Sequence, residues 1–60
     1  MNWILTSEQL PEEGIVVSTK IEDHSGIRNE QNLIYQNNLW YLPDFSMYVY
    51  YTPTHWLKTN

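Results

Sequence analysis

Paired asparagines at positions 37 and 38 stand between two apolar runs, Leu33-Ile34-Tyr35 and Leu39-Trp40-Tyr41-Leu42. Asparagine enters the left-handed backbone region at little cost, and a two-residue type I′ turn demands that region at both central positions. The spacing predicts a tight antiparallel hairpin. A loop of two residues sets its register, so that Tyr35 faces Trp40 and Leu33 faces Leu42, while Ile34 and Tyr41 occupy the other face. Both faces then carry apolar mass. A sheet wet on one side shows one polar face, so this hairpin is expected to be covered twice, by the N-terminal segment on one side and by a second copy of the chain on the other.

Upstream, Ile15, Val17, Thr19 and Ile21 alternate with Val16, Ser18, Lys20 and Glu22, the period of a half-buried strand. Asp23-His24-Ser25-Gly26 follows as a turn, in which Asp bonds its own downstream backbone and Gly takes positive φ. The chain returns over Ile27 to Gln36, although Arg28-Asn29-Glu30-Gln31-Asn32 is wholly polar and leaves that stretch open between strand and loop. Beyond Pro43-Asp44, a last strand is expected over Met47 to Thr52, where Met47, Val49 and Tyr51 alternate with Tyr48, Tyr50 and Thr52. Pro53 ends it, and the short segment His55-Trp56-Leu57 brings Trp56 back to the core near Trp3. One helical turn is expected over Thr6 to Leu10, capped by Thr6 or Ser7 and stopped by Pro11.

These elements make a mainly β fold, with a small α+β arrangement as the variant: a three- or four-stranded antiparallel meander with a short N-terminal helical turn. With 60 residues there is room for a single domain spanning residues 1–60, and such a chain buries only roughly 60% of its unfolded surface. Cysteine is absent, which removes both a disulfide framework and a Cys-based zinc site as staples. Aromatic packing and self-association remain. The expected core is Trp3, Ile15, Val17, Tyr35, Trp40 and Trp56.

Seven carboxylates against three Lys and Arg give a formal charge of −4, without any basic run. Neutralising phosphates needs a local excess of Lys and Arg, so nucleic acid is not the expected partner. No stretch is long and apolar enough to span a bilayer as a helix, and the N-terminus meets Glu8 without a basic n-region, so the expected location is cytoplasmic.

Residue types that carry chemistry are present but badly spaced for it. Asp23, His24 and Ser25 are consecutive and cannot align as acid, base and nucleophile. His24 and His55 lack an HExxH or Cys partner for a metal. Glu12 and Glu13 are neighbours, whereas a glycosidase pair must flank a sugar from separate elements. Gly14 and Gly26 are the only glycines, so there is no phosphate-cradling loop. The expectation is a non-enzymatic protein with no cofactor, no metal and no catalytic residues.

Nine aromatic residues exceed what so small a core uses. Tyr41, Tyr48, Tyr50 and Tyr51 are the surplus. Exposed tyrosines in charge-poor surroundings are enriched at protein interfaces, and these four are the expected binding residues.

Trp3-Ile4, Leu10-Pro11-Glu12, Val16-Val17, Trp40 and Pro53-Thr54-His55-Trp56-Leu57 together resemble a family of small phage and prophage proteins catalogued as domain of unknown function 551. The anchors are sparse but span most of the chain; Arg28–Asn32 and Tyr48–Tyr51 depart from the family pattern. The resemblance implies provenance and a packing idea, in which both chain ends lock the meander. With the surplus tyrosines it leads to the expectation of a homodimeric phage accessory protein that binds and inhibits a host protein, a component of bacterial anti-phage defence. The alternative is a structural or replication-associated phage protein that stacks single-stranded nucleic acid on the tyrosines.

Overall fold

The computed structural model describes residues 2–58. They form one five-stranded antiparallel sheet, from β1 (Ile4–Leu5), β2 (Val16–Asp23), β3 (Gly26–Gln36), β4 (Leu39–Tyr41) and β5 (His55–Lys58), in the order β1-β5-β2-β3-β4. The protein is mainly β. The expected meander is present as β2-β3-β4, and β5 then crosses back to the other edge of β2 and holds β1 outside it.

Asn37 and Asn38 have φ of 52° and 66°, the left-handed pair of a type I′ turn. The register follows, with Tyr35 opposite Trp40 and Ile34 opposite Tyr41. Carried one hydrogen-bonded pair further, the ladder would meet Pro43, which has no N–H to give, and β4 stops at three residues. The turn between β2 and β3 also forms as expected: Ser25 N–H donates to Asp23 Oδ1 at 2.8 Å, and Gly26 takes φ +122°. The polar stretch Arg28–Asn32 lies within β3. It accommodates a bulge, because two β3 residues oppose Lys20 alone between the pairs Thr19–Gln31 and Ile21–Arg28, and Asn29 takes φ 57° there.

Two expected elements are absent. Thr6 to Leu10 makes a hydrogen-bonded turn, with Glu8 and Gln9 N–H groups donating to Leu5 carbonyl oxygen, and no helix forms among the described residues. Pro11 stops propagation, and one turn cannot repay the cost of helix nucleation. Met47 to Thr52 is not a strand; its backbone meets the sheet at the bridge Tyr41–Tyr48, flanked by Leu42 N–H to Met47 O and Val49 N–H to Trp40 O. The three-residue β4 offers no longer edge to pair with.

Directly opposed residues share a face, so the register sorts the side chains. One face carries Ile4, Trp56, Val17, Leu33, Tyr35 and Trp40, and these make the core, with Ile15, Leu42 and Val49 packed against it. Val17 and Leu33 are fully buried, worth roughly 1.5–3 kcal/mol each in transfer free energy. The N-terminal segment lies over this face, as expected: Trp56 Nε1 donates to Gln9 O at 2.7 Å, Gly14 N donates to Tyr35 O at 3.1 Å, and Pro11 is buried. The chain ends meet through Ile4–Trp56 and through Thr6 Oγ1 donating to Pro53 O at 2.6 Å.

Trp3 departs from its expected core position. Ile4 takes the core-facing place opposite Trp56, so its neighbour Trp3 points to the other face, half-buried, with Lys20 Nζ 4.4 Å from its ring centroid. Ile15 is likewise half-buried at the core's rim.

Candidate protein-binding surface

The second face of the sheet carries a transverse row. Val16 lies opposite Ile34, Ile34 opposite Tyr41, and Tyr41 opposite Tyr48. Ile34 is buried in the middle, while its neighbours leave surface toward solvent. From Tyr41 the row continues through ring contacts: to Phe45 at 5.3 Å and 48°, to Tyr48 at 6.1 Å and 70°, and from Tyr48 to Tyr50 at 5.3 Å and 89°. Tilted and edge-on pairs at these distances are the arrangement ring quadrupoles prefer, about 0.5–1.5 kcal/mol each beyond the buried area. The rings therefore brace one another along the row. Tyr50 is 86% exposed at the end of the row.

The four tyrosines expected to bind a partner are divided by the structure. Tyr41 is half-buried, and Tyr48 and Tyr50 present their rings with it on this face. Tyr51 is held differently: its hydroxyl accepts from Gln31 Nε2 on β3. The alternation read from the sequence thus survives without the strand, since Val49 packs on the core while Tyr48 and Tyr50 contact each other outside it. A cleft of about 330 Å³ opens beside them, between Leu39 and Trp40 at the hairpin and Tyr48, Tyr50 and Thr52.

Phe45 and Asp44 were not among the expected site residues. Leu42-Pro43-Asp44-Phe45 is a turn closed by Phe45 N–H to Leu42 O at 2.8 Å, with Pro in the second position it suits. Phe45 then takes φ 59°, where glycine is the usual occupant. A bulky residue held there costs of order 1–3 kcal/mol, and the strain presents a half-exposed ring on Tyr41. Leu-Pro-Asp in the sequence signals the turn; nothing in it signals a phenylalanine in the left-handed region. Asp44 Oδ1 accepts from Ser46 N–H at 2.9 Å, and the hydrogen bonds from Ser46 hold its carboxyl below the usual aspartate value.

The remaining polar clusters are engaged in structure. Asp23 accepts from Ser25 N–H and takes a two-pronged ion pair from Arg28, at 3.2 and 3.1 Å. Its carboxyl is held below the usual value chiefly by Arg28. Lys20, 8% exposed, pairs with Glu22 at 2.6 Å beneath Trp3, and that contact holds the Glu22 carboxyl down. His55 Nδ1 lies 2.8 Å from Thr54 Oγ1. Among the described residues no group of three or more His, Asp or Glu side chains converges to hold a metal, and no helix is long and apolar enough to cross a membrane.

Fold and surface together define a small antiparallel β protein with one packed face and one partly open aromatic face. Comparisons with protein-family models, with curated proteins and with solved structures find no match to this chain.

Proposed function

We propose that the chain is a non-enzymatic interaction protein, a phage or prophage accessory factor that binds and inhibits a host protein engaged in anti-phage defence. The observation that carries the binding reading is the ring row Phe45–Tyr41–Tyr48–Tyr50, which lies outside the core cluster and ends in the 86% exposed Tyr50. Large amphipathic rings held rigid before contact lose little entropy on binding, which is why such residues dominate binding energy. Phage provenance is supported by the resemblance of the terminal anchors. Expression in bacteria carrying single defence systems tests the whole reading: phage plating should recover in one of them, and the paired substitution Tyr48→Ala and Tyr50→Ala should abolish the recovery while the chain still folds. Recovery undiminished by that variant would overturn it. Nucleic acid is a poor occupant of the same rings, because Lys20 and Arg28 are both committed to carboxylates; fluorescence anisotropy with single-stranded DNA at low salt should show no binding.

A further inference from the structure

The charges around the ring row specify more than a generic protein partner. Lys20 is spent on Glu22 and Arg28 on Asp23, so among the described residues Glu8, Glu12, Glu13, Glu30 and Asp44 are left with Lys58 to oppose them. Asp44 belongs to the ring row, and Glu30 lies apart from it, further along β3 in the bulge opposite Lys20. Asp44 immediately precedes Phe45 in the strained turn, exposed, with one oxygen accepting from Ser46 N–H. Glu30 lies on the length of β3 that runs past the end of β4, and lines a groove with Trp3, Ser18 and Asn32. Register puts Asn32, two residues from Ile34, on the same face as the transverse row.

Resting on the protein-binding reading above, we infer that this face takes an arginine-bearing segment of its partner, with guanidinium groups laid on the Tyr48, Tyr50 and Phe45 rings and answered by Asp44 and Glu30. A guanidinium is planar and weakly hydrated, so it stacks on a ring and still offers N–H donors to a carboxylate at the rim; a lysine ammonium is a compact, strongly hydrated charge that does the first of these less well. A second copy of the chain brings the same surplus of carboxylates to the contact and is opposed by it.

The test uses the whole chain and three synthetic probes: a peptide of alternating glycine and arginine, its lysine counterpart, and its citrulline counterpart, which keeps arginine's shape without the charge. Binding is followed by NMR on the backbone amides and tyrosine rings. The arginine peptide should move the resonances of Asp44, Phe45, Tyr48 and Tyr50. It should bind several-fold more tightly than the lysine peptide and about tenfold more tightly than the citrulline peptide. Asp44→Asn with Glu30→Gln, which leaves every ring in place, should weaken it by about tenfold, and added salt should do the same. Citrulline binding as tight as arginine, shifts centred on Glu8, Glu12 and Glu13, or no binding below about 1 mM would overturn the inference. Sedimentation showing a dimer that Tyr50→Ala dissolves would assign the face to a second copy; that outcome sinks the arginine assignment and leaves the rings as a protein-binding surface. Plating recovery lost in the ring variant while the arginine, lysine and citrulline peptides bind alike would overturn the arginine assignment and leave the parent reading standing.

Discussion

The indole N–H of Trp56 donates to the backbone carbonyl of Gln9 at 2.7 Å, across 47 residues of chain. It ties the C-terminal strand to the segment that roofs the core, and no buried side-chain nitrogen or oxygen among the described residues lacks a partner. Trp56→Phe keeps most of the apolar area and removes this hydrogen bond, leaving the carbonyl of the exposed Gln9 to water. The expected loss is about 0.5–1.5 kcal/mol, seen as a lower urea midpoint with an unchanged slope.

Trp40 carries a larger share. It is 4% exposed, its ring centroid lies 5.1 Å from that of Tyr35, and it also faces the cleft beside Tyr48. Trp40→Ala should cost about 3–5 kcal/mol, most or all of the stability of so small a domain. Loss of the cooperative thermal transition at room temperature would be the expected observation. A folded variant with a midpoint near that of the parent would show that the neighbouring side chains collapse into the space.

Acid should weaken the fold through Glu22 and Asp23. Their carboxyls sit below the ordinary values of 4.5 and 3.8, Glu22 first through its hydrogen bond with Lys20 and Asp23 first through that with Arg28. A folded-state pKa below the unfolded one means that the native chain binds fewer protons, so the contribution is complete above the ordinary values and disappears as pH falls through the lowered ones. Urea midpoints should hold steady from neutrality to those values and then decline. Asp23→Asn should flatten part of the decline, and because both sites are open to solvent the effect should be modest and shrink in salt.

Local signals in the sequence proved reliable where backbone chirality decides the outcome. Asn37-Asn38 and Asp23 to Gly26 are turns because few residues accept those dihedral angles, and no distant contact is needed to choose them. What depended on distant pairing was hidden. The alternation over Met47 to Thr52 is that of a strand, yet Pro43 cuts β4 short and leaves it one bridge. Trp3 is a core residue by type, but the pairing of Ile4 with Trp56 turns it to the opposite face. Polar Arg28 to Asn32 gave no burial pattern, since that part of β3 is held by its ladder with β2 and buries nothing.

Phe45 offers a separation of stability from binding. Phe45→Gly removes the left-handed strain and the Tyr41 ring contact together. The first is worth about 1–2 kcal/mol in favour of the variant and the second about 0.5–1.5 kcal/mol against it. Thermal stability should therefore stay level or rise slightly, while partner binding falls. A clear drop in stability would mean that the ring supports the fold rather than the surface.

Tyr50 makes the sharpest case. It touches the rest of the row edge-on at Tyr48 and leaves 86% of its surface in solvent, so Tyr50→Ala should cost no more than the low end of that ring contact, about 0.5 kcal/mol, and lower the urea midpoint only slightly. Surface substitutions away from caps, special dihedrals and buried networks seldom exceed about 0.5 kcal/mol. At an interface the same ring, once desolvated, is the kind of residue whose truncation costs about 2 kcal/mol or more, some thirtyfold in affinity. Isothermal titration with the partner identified by the plating assay would then show a large loss of affinity in a variant whose unfolding curve lies close to the parent's. If affinity is unchanged and stability falls instead, Tyr50 is part of what steadies the crossover between β4 and β5, and the binding surface lies elsewhere on the sheet.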